Sequence, residues 1–280
     1  MGRIGVGICC HNQRHHEERI TRRSTGAAVG VFSDSQVGGR RPVTLVVIPQ
    51  DCTPTMHLIS VTDIAADANY RDTVGGSPFL PPGEAVPRCR ICHVAMALFF
   101  QLDVRADFGL PFKAGSHLLV FMCPTHNEPP SLPAIYNDSP LAPSYWDADK
   151  GHFALLLYPP TELQSNGKLD PFIEPYRLQF KSATEEIQVG DFDVGSYDFK
   201  VGGVPGWINY KIDKRCTCGG QLSFLCQTPD GFGFKQTDTA PEQPDSFSSS
   251  EYCLFLGNQV YILACDRQCD PRAVIAGCDN

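Results

Sequence analysis

Cys89, Cys92, Cys123 and His126 form two short-spaced pairs, Cys-x2-Cys and Cys-x2-His, about thirty residues apart. Each pair sets two soft ligands on one turn, and two such turns can close a tetrahedron, the spacing logic of a structural zinc ribbon. A set of three cysteines and one histidine is closed. It leaves no coordination position for a water nucleophile, so the chemistry expected is a staple and not hydrolysis. A second set is less regular: Cys216-x-Cys218 is one residue short of the usual knuckle and Cys265-x3-Cys269 one residue long. Those four could hold a second zinc with adjusted loops. The alternative for either set is a group of unligated thiols, and the spacing leaves open whether two, one or no metal binds.

Other groups capable of chemistry are sparse. His11 and His15 lie four apart but read as part of a solvated tail. No G-x-S-x-G and no H-E-x-x-H is present. Asp147/Asp149, Glu185/Glu186 and Asp191/Asp193 read as surface carboxylates. No catalytic residue is therefore assigned. Gly75-Gly76 and Gly202-Gly203 lack the lysine and the glycine pattern of phosphate-binding loops and read as tight turns, followed by Pro78 and Pro205 and then by Phe79 and Trp207. Trp207 is expected to be buried.

The elements that must carry these residues repeat. Val74-Gly75-Gly76-Ser77-Pro78 recurs as Val201-Gly202-Gly203-Val204-Pro205. Fifteen positions separate Val74 from Cys89 and also Val201 from Cys216. Nine separate Cys92 from Gln101 and Cys218 from Gln227, and eight separate Gly115 from Cys123 and Gly257 from Cys265. Each unit closes on an apolar strand ending in cysteine. The recurring motif and three matched intervals in one order predict a tandem duplication. The expected architecture is α+β and β-rich, two related small-sheet units packed with pseudo-two-fold symmetry. Residues 1–41 are expected to be a disordered tail, 42–135 the first unit and 136–280 the second. Strands are expected at Ala154 to Tyr158 and Tyr176 to Phe180, and a Pro/Ser-rich surface insert at Thr237 to Ser250.

The run from Val201 to Trp207, the Cys218-Gly219 pair, the stretch Leu222 to Gln227 and the strand ending at Cys265 resemble the bacterial YwqG-like family of unknown function. More distantly they resemble eukaryotic programmed cell death protein 2. In the first unit the matching positions are Gly75, Gly76, Pro78, Cys89, Cys92, Gln101 and Cys123. The chain departs from the pattern where His93 replaces the knuckle glycine, where Phe79 stands near the tryptophan position and where the second knuckle is shortened. The resemblance implies a duplicated β-rich fold with no established enzyme activity. It also implies a stoichiometric binding role, either a chaperone that shields a ribosomal protein or a toxin-neutralising immunity protein.

Composition agrees with a binder. Net charge is −8 with 23 basic and 31 acidic residues, which argues against a broad nucleic-acid face and suits a basic protein client. No apolar run is long enough for a membrane span. Thirteen cysteines, an odd number, with no apolar signal core near Met1, suggest a cytoplasmic protein with reduced thiols. The rival reading is an enzyme with its site between the two units.

Overall fold

A computed structural model describes residues 55–131, 140–141, 151–165 and 167–280. The tail at 1–41, His11 and His15, Asp147/Asp149 and the 135/136 boundary lie outside them. The fold is strand-rich, and among the described residues helix is limited to two 3-10 turns, Ala106–Phe108 and Phe255–Gly257.

Ten strands form one antiparallel sheet. They are β1 (Thr55–Ala65), β2 (Thr73–Val74), β4 (Ala97–Asp103), β5 (His117–Met122), β6 (Phe153–Tyr158), β8 (Tyr176–Thr184), β9 (Lys200–Gly202), β10 (Leu222–Thr228), β13 (Gln259–Cys265) and β14 (Val274–Asp279). Two small two-stranded sheets pair β3 (Phe79–Leu80) with β7 (Gln164–Ser165) and β11 (Gly233–Lys235) with β12 (Glu251–Cys253). The insert expected at 237–250 is the connection between β11 and β12.

The large sheet runs β14-β13-β10-β9-β1-β8-β2-β4-β5-β6. Its two small halves are thus not separate sheets. β1 pairs with both β8 and β9, and β8 with both β1 and β2, so backbone hydrogen bonding is continuous through the middle. Read outward from that central pair, β9-β10-β13-β14 on one side answers β2-β4-β5-β6 on the other. The edges nearly meet: Leu157 N–H donates to the Pro271 carbonyl at 2.8 Å, bringing β6 to the start of β14.

β5 and β13 are buried along their whole length. Leu118, Val120 and Met122 of β5 and Val260, Ile262 and Ala264 of β13 fill the interior core. The alternate residues Leu119 and Phe121, and Tyr261, Leu263 and Cys265, face outward into two satellite clusters. A bulge lies between Leu98 and Phe100 against β5, and another between Phe224 and Cys226 against β13. Each adds one residue and lets two consecutive side chains, Phe99 with Phe100 and Leu225 with Cys226, enter the interior.

Candidate metal centre

Each satellite cluster is roofed by the segment that follows a Gly-Gly turn. The turns need glycine. Gly75 has φ +54, and a Cβ there would sit 2.5 Å from the Ile173 carbonyl oxygen; Gly203 has φ +73 and would drive a Cβ into the Glu185 carboxylate. A buried glutamine then locks each turn. Gln101 Oε1 accepts from Phe79 N–H, and its Nε2 donates to the Ser77 carbonyl and Thr73 Oγ1. Gln227 Oε1 accepts from Gly206 N–H, and its Nε2 donates to the Ser196 and Asp198 carbonyls. Trp207, 4 % exposed, emerges from its turn onto Tyr261 with ring centroids 4.6 Å apart. These are scaffold turns.

Beyond the turns, the four residues of each cysteine set converge. Their ligand atoms all lie within 4.8 Å of one another in Cys89/Cys92/Cys123/His126 and in Cys216/Cys218/Cys265/Cys269. In the first set His126 Nδ1 is 3.6 Å from Cys89 Sγ and 3.4 Å from Cys123 Sγ, and Cys92 Sγ is 3.6 Å from Cys123 Sγ. In the second, Cys216 and Cys269 sulfurs are 3.5 Å apart and Cys218 and Cys265 sulfurs 3.4 Å apart. Disulfide sulfurs would be about 2.05 Å apart. A tetrahedral ion with bonds of about 2.3 Å to sulfur has S–S edges of about 3.8 Å, and about 3.6 Å to an imidazole nitrogen. Both sets have the donors and the spacing for a metal ion.

Local backbone explains how each knuckle closes. Cys123 and Cys265 stand at the ends of β5 and β13, and Cys89 and Cys216 on the facing loops. Backbone amides point at sulfur: Ile91 at Cys89 and Thr125 at Cys123, both 3.4 Å, and Gly220 at Cys218, 3.3 Å. His93 occupies the left-handed region at φ +61, the place filled by Gly219 at φ +82 in the second knuckle. A side chain there costs about 1 kcal/mol, and the chain tolerates it. The short Cys216-x-Cys218 turn is answered by the long one, where Gln268 bends back at φ +47 and its N–H reaches the Cys265 carbonyl.

The thiols are not alike. Burial pushes Cys123 up to about 12, while the Gly220 amide, with neighbouring thiols, draws Cys218 down to about 7. Burial pushes Cys92 upward, but the Val94 backbone bond and the adjacent thiols outweigh it and leave it below its ordinary value. Burial raises Cys265 and Cys269. Cys89 and Cys123 are fully buried, whereas Cys218 and Cys269 reach the surface. Cys226 and Cys253 are core thiols, and Cys278 is buried in β14.

Two buried polar groupings were not evident in the sequence. Glu185, expected at the surface, is buried: its carboxylate accepts from Lys200 Nζ and from the Ser196 and Val204 amides, at 2.9 and 2.7 Å. Lys200 also donates to the Val204 carbonyl, and both side chains of the pair are 0 % exposed. A lysine immediately before Val-Gly-Gly was the available signal. Asp103 accepts from His117 Nδ1 at 2.8 Å and from both ends of the Arg71 guanidinium. Burial opposes ionisation there, but His117 and Arg71 hold the carboxyl at about 2. His117 itself is buried, which lowers its pKa against the pull of Asp103, and it has no access to solvent.

A cavity of about 430 Å³ lies where β6 approaches β14, lined by Arg88, Met96, Leu156, Tyr158, Asp270 and Arg272 among others. Four of its polar side chains pair: Tyr158 OH donates to Glu84 and Arg272 pairs with Asp270, while Arg88 donates to the His93 carbonyl. No serine, threonine, cysteine, lysine or histidine is among its described lining residues.

No family model matches the chain, and no curated protein matches it.

Proposed function

We propose that this protein is a non-catalytic binding module for a basic protein, with structural zinc in both cysteine sets. The observation that carries the reading is the convergence of two complete four-ligand sets, each tying a loop to the end of a sheet strand. Closed sets, one of three cysteines with a histidine and one of four cysteines, favour zinc among divalent ions and leave no reactive coordination position. The clustered reduced thiols suit a cytoplasmic setting, and among the described residues no helix is long and apolar enough to cross a membrane.

Membership of the YwqG-like group, with its distant similarity to programmed cell death protein 2, is part of the same proposal. What supports it is that the quoted motif residues take matched roles: Gln101 and Gln227 lock equivalent turns, and the cysteines meet in two sets. The paired bulges and the mirrored strand order support the duplication reading. A chaperone and a toxin-neutralising protein make the same physical demand, a stoichiometric complex with a cationic partner, and the net charge of −8 suits it.

The test is affinity capture with the full chain, followed by reconstitution from purified components. A near-stoichiometric basic partner whose complex re-forms and weakens as salt rises is the expected result. A partner that fails to reconstitute, or an acidic one, refutes the reading.

A further inference from the structure

We infer that the client docks through its Lys/Arg-rich, partly apolar segment onto the surface around Tyr197 and Tyr210, at the margin of the Trp207 cluster. This rests on the basic-client reading and names its surface. Ten large hydrophobic residues are exposed among the described residues, and four of them, Val189, Tyr197, Ile208 and Tyr210, belong to the two segments that cover this one cluster. The 188–194 hairpin packs Phe192 and Val194 against the cluster that contains Trp207 and Ile212. Tyr197 adjoins Gly206, and Ile208 and Tyr210 follow Trp207 directly. The exposed apolar side chains therefore border a shared floor.

Two further features define the partner. The stretch 182–199 carries four acidic residues besides Glu185, and no lysine or arginine. Glu185 is buried against Lys200, while Glu186, Asp191, Asp193 and Asp198 are exposed beside the apolar residues. The 182–199 side of this apolar surface is acidic, although Lys211 stands beside Tyr210, and an acidic border next to apolar anchors favours a partner that sets basic residues beside apolar ones. The patch is also held in shape. Gln227 fixes the carbonyls on either side of Tyr197, at Ser196 and Asp198, and Glu185 fixes the Ser196 amide. Tyr197 is nevertheless 46 % exposed and Tyr210 60 %. A tyrosine presented from an immobilised backbone loses little entropy on binding and is a favoured interface anchor. In the other half, the segment after the corresponding turn carries Arg88 and Arg90, so a cationic client meets one matching surface per chain.

The experiment measures binding of a labelled peptide of roughly 20 residues, Lys/Arg pairs alternating with Leu/Phe pairs, and of its counterpart with Glu for each basic residue. The full chain is expected to bind the basic peptide, weakening with salt, and not the acidic one. Tyr197→Ser with Tyr210→Ser, and separately Asp191→Lys with Asp193→Lys, should each weaken binding about tenfold or more. Asp63→Lys with Asp230→Lys, on other exposed surfaces, should leave it within about twofold. Tyr210→Ser alone, at the most exposed of the four positions, serves if the double variant melts early. Patch variants that bind like the parent while the Asp63/Asp230 variant fails overturn the surface and leave the client reading standing. A parent chain that does not prefer the basic peptide overturns both.

Discussion

Gln227→Leu removes a side chain whose shape leucine approximates and whose three hydrogen bonds it cannot replace. The residue is fully buried, and its amide serves the Gly206 N–H and the Ser196 and Asp198 carbonyls at 2.9, 2.9 and 3.0 Å. Each of those backbone groups then loses the partner it has in the folded chain. At about 1–1.5 kcal/mol for each buried group left unsatisfied, the loss is about 3–4.5 kcal/mol, less roughly 1 kcal/mol regained from burying an apolar side chain in place of an amide. A net cost of about 2–3.5 kcal/mol is expected. Urea unfolding should show a lower midpoint at unchanged slope, and hydrogen exchange should localise the weakness at Gly206. Gln101→Leu orphans the Phe79 N–H and the Ser77 carbonyl in the same way and should cost a similar amount. A loss below about 1 kcal/mol for both variants would refute the claim that these glutamines lock the turns.

Elemental analysis should find two zinc ions per chain; a chelator should empty Cys216/Cys218/Cys265/Cys269 first, because two of its ligands are exposed, and Cys92→Ser should remove one ion and lower the melting temperature. Lys200→Met leaves Glu185 charged and buried and should destabilise by about 3–5 kcal/mol in chemical denaturation, whereas Lys200→Met with Glu185→Leu should recover much of it. Asp103 has a folded pKa of about 2, below its ordinary 3.8, so its contribution is complete above about pH 4 and is lost as pH falls towards 2; Asp103→Asn should flatten the stability profile across that window by about 2 kcal/mol. Trp207→Ala should cost about 3–5 kcal/mol by calorimetry, and a variant that keeps its melting temperature would contradict a structural role.

The cysteine sets were legible because a knuckle is a local object: two ligands on one turn fix their own spacing, and only the meeting of two turns is left to the fold. The matched intervals likewise marked Gln101 and Gln227, although nothing in them said which backbone groups the amides would serve. Long-range partners were hidden. Glu185 looks like a surface acid beside Glu186, since the lysine that buries it lies fifteen residues on. The merging of two small sheets was equally hidden, because β1 and β8 carry none of the repeated motifs and their pairing with β9 and β2 is decided by tertiary packing.

That central pairing also sets a timetable for synthesis. β1 ends at Ala65, and its partners β8 and β9 begin at Tyr176 and Lys200. A ribosome adding about 5–20 residues per second needs roughly 7–27 s to travel from Ala65 to Lys200. Until Tyr176 is made, an eleven-residue strand carrying Met56 and Ile59 has emerged with neither of its neighbours in existence. β2, with only two residues, can pair with β4 as soon as both are made but leaves its other edge open until β8 arrives. The nascent chain is therefore at its stickiest in the interval before Tyr176 is made. A chain halted before Tyr176 would leave both edges of β1 and one edge of β2 unpaired, prone to aggregation even though both ligand turns of its first cysteine set are complete.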